Sequence, residues 1–193
     1  MERSNNERPE PQEYFMGIAM AVRERADCIG NRVGAVIVVN DRIVSTGYNG
    51  TPENMTNCTE GGCHRCSNRE RYPSGTSYDV CICVHAEQNA ILSAARFGIA
   101  LEGSVLYTTM QPCFNCTKEL LQAKVKSVYY LHPWTYPDAE HDAEYKKLQA
   151  RFPDGVHKID MEDPRKDWAV SKRPPRRVEA VPAKKETSSS PTF

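Results

Sequence analysis

The chain has 193 residues, room for one well-buried domain of about 150 residues and a remainder, which excludes a large multidomain assembly. Its 25 Lys and Arg residues balance 25 Asp and Glu residues, so bulk basicity selects no partner, nucleic acid included. The mean hydropathy is −0.62 and the longest aliphatic run is Ala35 to Val39, far short of the roughly 18–20 apolar residues a membrane helix needs.

The zero is a cancellation. From Pro164 onward there are eight basic and three acidic residues, a net of +5, which leaves −5 on residues 1–163. The polar start, Met1 to Glu7, has no apolar core of the secretory kind, so a soluble, cytoplasmic protein is expected. In a reducing compartment clustered thiols point to metal binding or catalysis rather than disulfides, which makes the eight cysteines the main lead.

In chain order, Phe15, Ile18 and Val22 recur at helical spacing and predict a first helix over Glu13 to Ala26, with Glu13, Arg23 and Glu24 on its wet side. Gly34 to Val39 is β-branched, Asn40-Asp41 has turn chemistry, and Arg42 to Gly47 alternates, so a hairpin follows. Residues 51–84 lack periodicity and hold five of the eight cysteines, a length of loop that is usually functional or braced. The pattern predicts a helix over His85 to Phe97 stopped by Gly98, then a strand over Ser104 to Thr109. A helix opening at Pro112 and running to Ala123, a strand over Val125 to Leu131, a helix over Asp138 to Arg151 and a short strand over Val156 to Ile159 complete the series. This order predicts a three-layer α/β/α sandwich with a central mixed five-stranded sheet over residues 12–162. Residues 163–193, rich in Pro, Lys, Arg and Ser, are expected to be a basic disordered tail.

Chemistry concentrates in His85-Ala86-Glu87 and in Pro112-Cys113-Phe114-Asn115-Cys116, each opening a predicted helix. A hydrolytic zinc site takes three protein ligands and keeps one position open for water, and His85, Cys113 and Cys116 supply the three. Two cysteines three apart in a first helical turn point the same way, and the helix N-terminus favours their thiolates. Glu87 is placed over the open position as a proton carrier. Alone, C-x-x-C describes a zinc knuckle or a redox dithiol, and H-x-E describes little. Together and in this order they form the signature of the zinc deaminases, in which water attacks the ring carbon bearing an exocyclic amine.

At these residues the sequence resembles the deoxycytidylate deaminase family of the cytidine-deaminase-like fold. The likeness extends to Tyr14-Phe15-Met16, to Arg32 through Ile37, to Ser45 through Pro52 with its Gly-Tyr-Asn-Gly, to Asn57 through Cys63, to His85 through Ile91 and to Leu106-Tyr107-Thr108-Thr109. It implies conversion of dCMP to dUMP and ammonia for thymidylate synthesis, with activation by dCTP, inhibition by dTTP, and a homo-oligomer such as a hexamer. It implies zinc on His85, Cys113 and Cys116, magnesium with the allosteric nucleotide, Glu87 as proton shuttle, and Asn49, Ala86 and Arg96 as substrate contacts. By itself Asn49 is a turn residue and Arg96 a solvent-facing helical arginine.

The resemblance also implies a second, structural zinc in some members. Ordering some thirty irregular residues costs on the order of 1 kcal/mol or more each, which a structural zinc worth roughly 10–16 kcal/mol offsets in part. Cys28, Cys58, Cys63 and Cys66 are the expected set, with His64, Cys81 and Cys83 as competitors; Cys81 and Cys83, in Val80-Cys81-Ile82-Cys83-Val84, also fit small buried hydrophobes. His132, His141 and His157 have no ligand-like spacing and are expected to serve surface or packing roles. Two other readings stay open: the same chemistry on dCTP, a free nucleoside or base, or a base in nucleic acid, and a zinc-braced regulatory module without catalysis. The match to the mononucleotide branch argues against nucleic acid, and the presence of Glu87 argues against lost catalysis.

Overall fold

In the computed structural model, which describes residues 8–72, 76–136 and 138–171, the two β-branched runs form an antiparallel hairpin of β1 (Gly34–Val39) and β2 (Arg42–Tyr48). Its turn is Asn40-Asp41, with φ of 47° and 59°, a left-handed pair that a tight hairpin needs and that Asn and Asp tolerate. Ile37 faces Ser45 whereas Val38 faces Ile43, so Val44 forms a bulge. β3 (Val105–Met110) pairs antiparallel with the other edge of β1, β4 (Ser127–His132) parallel with β3, and β5 (Val156–Lys158) parallel with β4. The result is the expected mixed sheet, in the order β2-β1-β3-β4-β5.

Alternation sends the strand residues to two cores. On one face α1 (Pro11–Val22) packs Phe15, Met16 and Ala19 against Val36, Val38, Tyr107 and Leu131. A four-residue helix, α2 (His64–Ser67), interrupts the long loop. On the opposite face α3 (Ala86–Arg96) and α4 (Phe114–Gln122) bury Ala86, Ala90, Ala94 and Leu120 on Ala35, Ile37, Leu106 and Val128. α5 (Ala139–Gln149) lies beside α4. No described helix is long and apolar enough to cross a membrane.

The alanine stripe of α3 lets it approach the sheet closely, and Gly47 on β2 completes the fit. A Cβ at Gly47 would stand 2.2 Å from the Ala86 carbonyl oxygen and 2.5 Å from the Ala90 nitrogen, both backbone atoms that cannot swing aside. Ser45 Oγ donates to the Ala90 carbonyl at 2.6 Å, and Asn89 Nδ2 donates to the Tyr48 carbonyl at 2.7 Å, so the spacing is fixed by hydrogen bonds too. Gly47→Ala is expected to cost about 1–3 kcal/mol by overpacking, read as a lowered midpoint with unchanged slope in urea unfolding.

Several expectations need correction. The first helix starts earlier, with Pro11 at its opening turn and the Glu13 carboxylate accepting from the Glu10 N–H at 3.1 Å. It then tightens into a 3₁₀ turn over Arg23–Arg25. Arg23 is not on the wet side: its side chain is 2% exposed and makes a bidentate pair with Asp163, Nη1 to Oδ2 at 2.8 Å and Nη2 to Oδ1 at 2.5 Å. His132, expected as an ordinary packing residue, meets the same carboxylate at 2.7 Å through Nε2. His141 and His157 do stay local and exposed, next to Asp138 and the Asp154 carbonyl.

The boundary drawn before residue 163 also falls too early. Residues 163–171 dock on the segment after α1: α6 (Lys166–Ala169) accepts from the Arg32 N–H at 2.8 Å through the Ala169 carbonyl, and Trp168 lies under both Arg32 and Arg165. The Arg165 guanidinium pairs with Glu24 at 2.5 Å, and Ser171 bridges to Asn31 and Arg69. The composition of this stretch hides the ordering because charged and aromatic groups do the docking. The rest of the expected tail, residues 172–193, lies outside the described residues.

Candidate metal centre

Sheet topology brings three segments to one end of the molecule. β1 runs antiparallel to both neighbours, so the end of β2, the start of β1 and the end of β3 coincide. There Gly34 N–H donates to Thr109 Oγ1 at 3.1 Å and Val33 N–H to Asn49 Oδ1 at 2.8 Å. α3 and α4 both begin at this end, the first directly after a two-residue bridge between Gly50 and Val84, the second directly after β3.

His85 is the residue before α3 and Cys113 the residue before α4, each extended, with Cys116 one turn into α4. The three donor atoms form a triangle: His85 Nδ1 lies 3.4 Å from both Cys113 Sγ and Cys116 Sγ, and the two sulfurs are 3.6 Å apart. A tetrahedral zinc with bonds of about 2.3 Å to sulfur and 2.0–2.1 Å to nitrogen requires edges of roughly 3.6 and 3.8 Å. The observed triangle is one face of that tetrahedron to within about 0.2 Å, so the donor set fits the metal. Electrostatics agree. Hydrogen bonding from Cys116, helped by His85, holds the Cys113 thiol well below its ordinary value against the opposing effect of burial. Burial pushes the His85 imidazolium down, but the Cys113 thiolate and the Glu87 carboxylate outweigh it and lift His85 to about 9. The same pairing with Cys113, together with burial, holds the Cys116 thiol well above its ordinary value, so without a metal the site sets one thiolate against one imidazolium.

Supports behind the donors fix their directions. The His85 N–H donates to Gln88 Oε1 at 3.0 Å, and Gln88 Nε2 donates to Glu119 Oε1 at 2.9 Å, so one side chain ties the start of α3 to α4. Thr117 Oγ1 donates to the Cys113 carbonyl at 2.9 Å, and the buried Tyr145 hydroxyl of α5 donates to the Pro112 carbonyl. Tyr78 lies edge-on to the His85 ring at 5.4 Å. These positioning residues escape a motif search, because Gln88, Glu119 and Tyr145 are ordinary helical residues until the two helices meet.

Glu87 is 4% exposed, in the first turn of α3. Thr108 Oγ1 lies 3.3 Å from its Oε1 and 3.1 Å from the Met110 carbonyl oxygen, one hydroxyl proton shared between the two acceptors. Burial raises the Glu87 pKa, with His85 opposing, which moves the group toward the range in which a carboxyl both takes and returns a proton near neutrality.

The other expected site residues divide. Asn49 lies at this end of the sheet with its amide in use, accepting from Val33 and donating to the Asn31 carbonyl at 2.8 Å. Ala86, the first residue of α3, is fully buried, with its carbonyl oxygen against Gly47. Arg96 is exposed at the far end of α3, roughly 16 Å along the axis from His85 at 1.5 Å per residue, so it does not join this chain's donor set. Of the expected second set, Cys28, Cys58 and Cys66 come together, but the fourth sulfur within 4.8 Å is Cys83 and not Cys63. His64 turns instead to Asn68 and Tyr72. Cys83, which the sequence also allows as a small buried hydrophobe, is buried, with its sulfur in the cluster.

Comparison with known proteins yields three findings. Residues 9–132 match the family described as the cytidine and deoxycytidylate deaminase zinc-binding region. The chain is 41% identical over 126 residues to the deoxycytidylate deaminase of Schizosaccharomyces pombe, a match covering 65% of this chain but only 38% of that protein. It is 37% identical over 131 residues to that of Mycobacterium phage D29, covering 64% of this chain and 95% of the phage protein. The crystal structure of dCMP deaminase from cyanophage S-TIM5 in complex with dCMP and dUMP superposes with a TM-score of 0.58 at 30% identity, covering 80% of this chain and all of that one.

Proposed function

The chain belongs to the cytidine and deoxycytidylate deaminase family, and from that premise we propose that it hydrolyses dCMP to dUMP and ammonia. The observation that carries this reading is a buried carboxyl, Glu87, beside a three-donor face of tetrahedral dimensions. Zinc held by His85, Cys113 and Cys116 would lower the pKa of a water toward neutrality. Glu87 takes a proton from the attacking water and passes it to the ring nitrogen, then takes the second proton from the hydroxyl now on the ring carbon and gives it to the amine as the C–N bond breaks and the carbonyl forms. Thr108, whose Oγ1 proton is shared with the Met110 carbonyl, stands beside the carboxyl. Asn49 still has one amide hydrogen beyond the one given to Asn31, and this is the donor for a sugar hydroxyl. Because residues 1–163 carry −5, the substrate phosphate is met by local donors such as helix N-termini and not by a bulk field.

The same reading includes supply of dUMP for thymidylate synthesis, activation by dCTP with magnesium, inhibition by dTTP, a cytoplasmic setting and a homo-oligomer such as a hexamer. Leu92 and Phe97, 59% and 72% exposed on and just after α3, favour association with another copy. The test is ammonia release from dCMP, dCTP, deoxycytidine and single-stranded DNA, each with and without dCTP as effector. Turnover of dCMP, accelerated by dCTP, is expected; turnover of a polynucleotide alone overturns the reading.

A further inference from the structure

Six cysteines outside the candidate metal centre converge from three parts of the chain: Cys28 from the segment after α1, Cys58, Cys63 and Cys66 from the long loop, and Cys81 and Cys83 from its return toward α3. Their sulfurs fall into two groups of four, Cys28, Cys58, Cys66 and Cys83 in one and Cys63, Cys66, Cys81 and Cys83 in the other, all within 4.8 Å of one another in each group. Cys66 and Cys83 belong to both groups. Cys28 and Cys58 belong only to the first, Cys63 and Cys81 only to the second.

The spacing separates metal chemistry from disulfide chemistry. Cys28 and Cys66 are 3.9 Å apart, Cys63 and Cys81 3.8 Å, and Cys66 and Cys81 4.0 Å. Disulfide sulfurs stand about 2.05 Å apart. Two thiolates on one tetrahedral zinc, each bonded at about 2.3 Å, stand roughly 3.8 Å apart. Two tetrahedra that share an edge have two corners in common and two private corners each, with private corners of different tetrahedra farther apart than those sharing a centre. The grouping of the six sulfurs has that form.

We infer that the loop binds two divalent zinc-type ions as one dinuclear thiolate cluster, with Cys66 and Cys83 bridging, Cys28 and Cys58 terminal on one ion, and Cys63 and Cys81 terminal on the other. This differs from a single structural zinc on four of the cysteines in both stoichiometry and ligand roles. Charge does not oppose the second ion. Four thiolates on one dication leave −2, and six thiolates on two dications leave −2 as well, so the second ion enters with its own neutralising pair. The backbone supports the anionic sulfurs, with the Gly30 N–H donating to Cys28 Sγ at 3.3 Å.

Mechanically, the cluster joins the end of the first helical segment, both limbs of a loop of some thirty residues, and the residue two before His85. Native mass spectrometry of the full chain, loaded with zinc, is expected to find three ions per chain, two in this cluster and one on His85, Cys113 and Cys116. His85→Ala is expected to hold two, which separates this cluster from the candidate centre. In protein loaded with cadmium-113, two resonances in the all-thiolate region, split by mutual coupling through the bridging sulfurs, are expected. Cys63→Ser with Cys81→Ser is expected to remove one ion and the splitting. Two ions per native chain, two thiolate-site resonances without coupling, or a disulfide among the six cysteines overturns the inference, and the first three readings need no variant that might fail to fold.

Discussion

Glu87→Gln is expected to lower dCMP turnover by about 10²- to 10⁴-fold, the usual contribution of a positioned proton carrier, with zinc content unchanged. Glutamine keeps the shape of the side chain and an acceptor for Thr108 Oγ1, so the first turn of α3 stays in place. What it loses is the ability to hold a proton between the attack of water and the departure of the amine. The proposed donors at this centre are His85, Cys113 and Cys116, with Glu87 outside the set, so metal retention is the control. Ammonia release and metal analysis on the same preparation check both halves. Turnover within tenfold of the unaltered protein rejects the shuttle, and loss of zinc would make Glu87 a ligand.

The second large effect concerns stability. Arg23→Ala is expected to cost about 3–5 kcal/mol, because it leaves the Asp163 carboxylate buried and short of its main partner. Arg23→Met with Asp163→Leu is expected to recover most of that loss, since a buried pair replaced by apolar groups of similar volume is often neutral. The pH dependence follows from the carboxylate. Burial pushes the Asp163 pKa up, but hydrogen bonds from Arg23 and His132 outweigh it and hold it well below the ordinary carboxylate range. A depressed folded-state pKa adds stability that is complete above the unfolded value of about 4 and is lost as pH falls toward the folded value. Below about pH 5, unfolding free energy from urea titrations is therefore expected to fall more steeply for the native chain than for Asp163→Asn. Parallel slopes would mean that the ion pair contributes nothing to acid stability.

The sheet and its covering helices were legible because their signals are local. Alternation in Gly34 to Val39, the Asn40-Asp41 turn and the alanine spacing of α3 each act within a few residues. The candidate metal donors stand out in the sequence for a different reason: a three-residue spacing at a helix start and a histidine two before a glutamate are compact patterns. What escaped depends on distant partners. Arg23 looks solvated until Asp163, 140 residues later, reaches it, and residues 163–171 look like tail until Arg32 and Trp168 meet. The fourth sulfur beside Cys28, Cys58 and Cys66 was misassigned because the loop path, which spacing does not encode, brings Cys83 there and sends Cys63 to Cys81. Arg96 was placed by likeness, and the length of α3 takes it away from the donors.

The division of the zinc face between two elements has a consequence for how the molecule folds. Cys113 and Cys116 sit within one helical turn, so their half of the site forms as soon as α4 does. His85 arrives only when α3 docks, 28 residues earlier in sequence, with β3 laid down between the two helices. Full coordination of a metal there would therefore require α3 and α4 to be packed together, as Gln88 and Glu119 hold them. A metal bound by all three donors would therefore favour the assembled state over any in which the two helices stand apart.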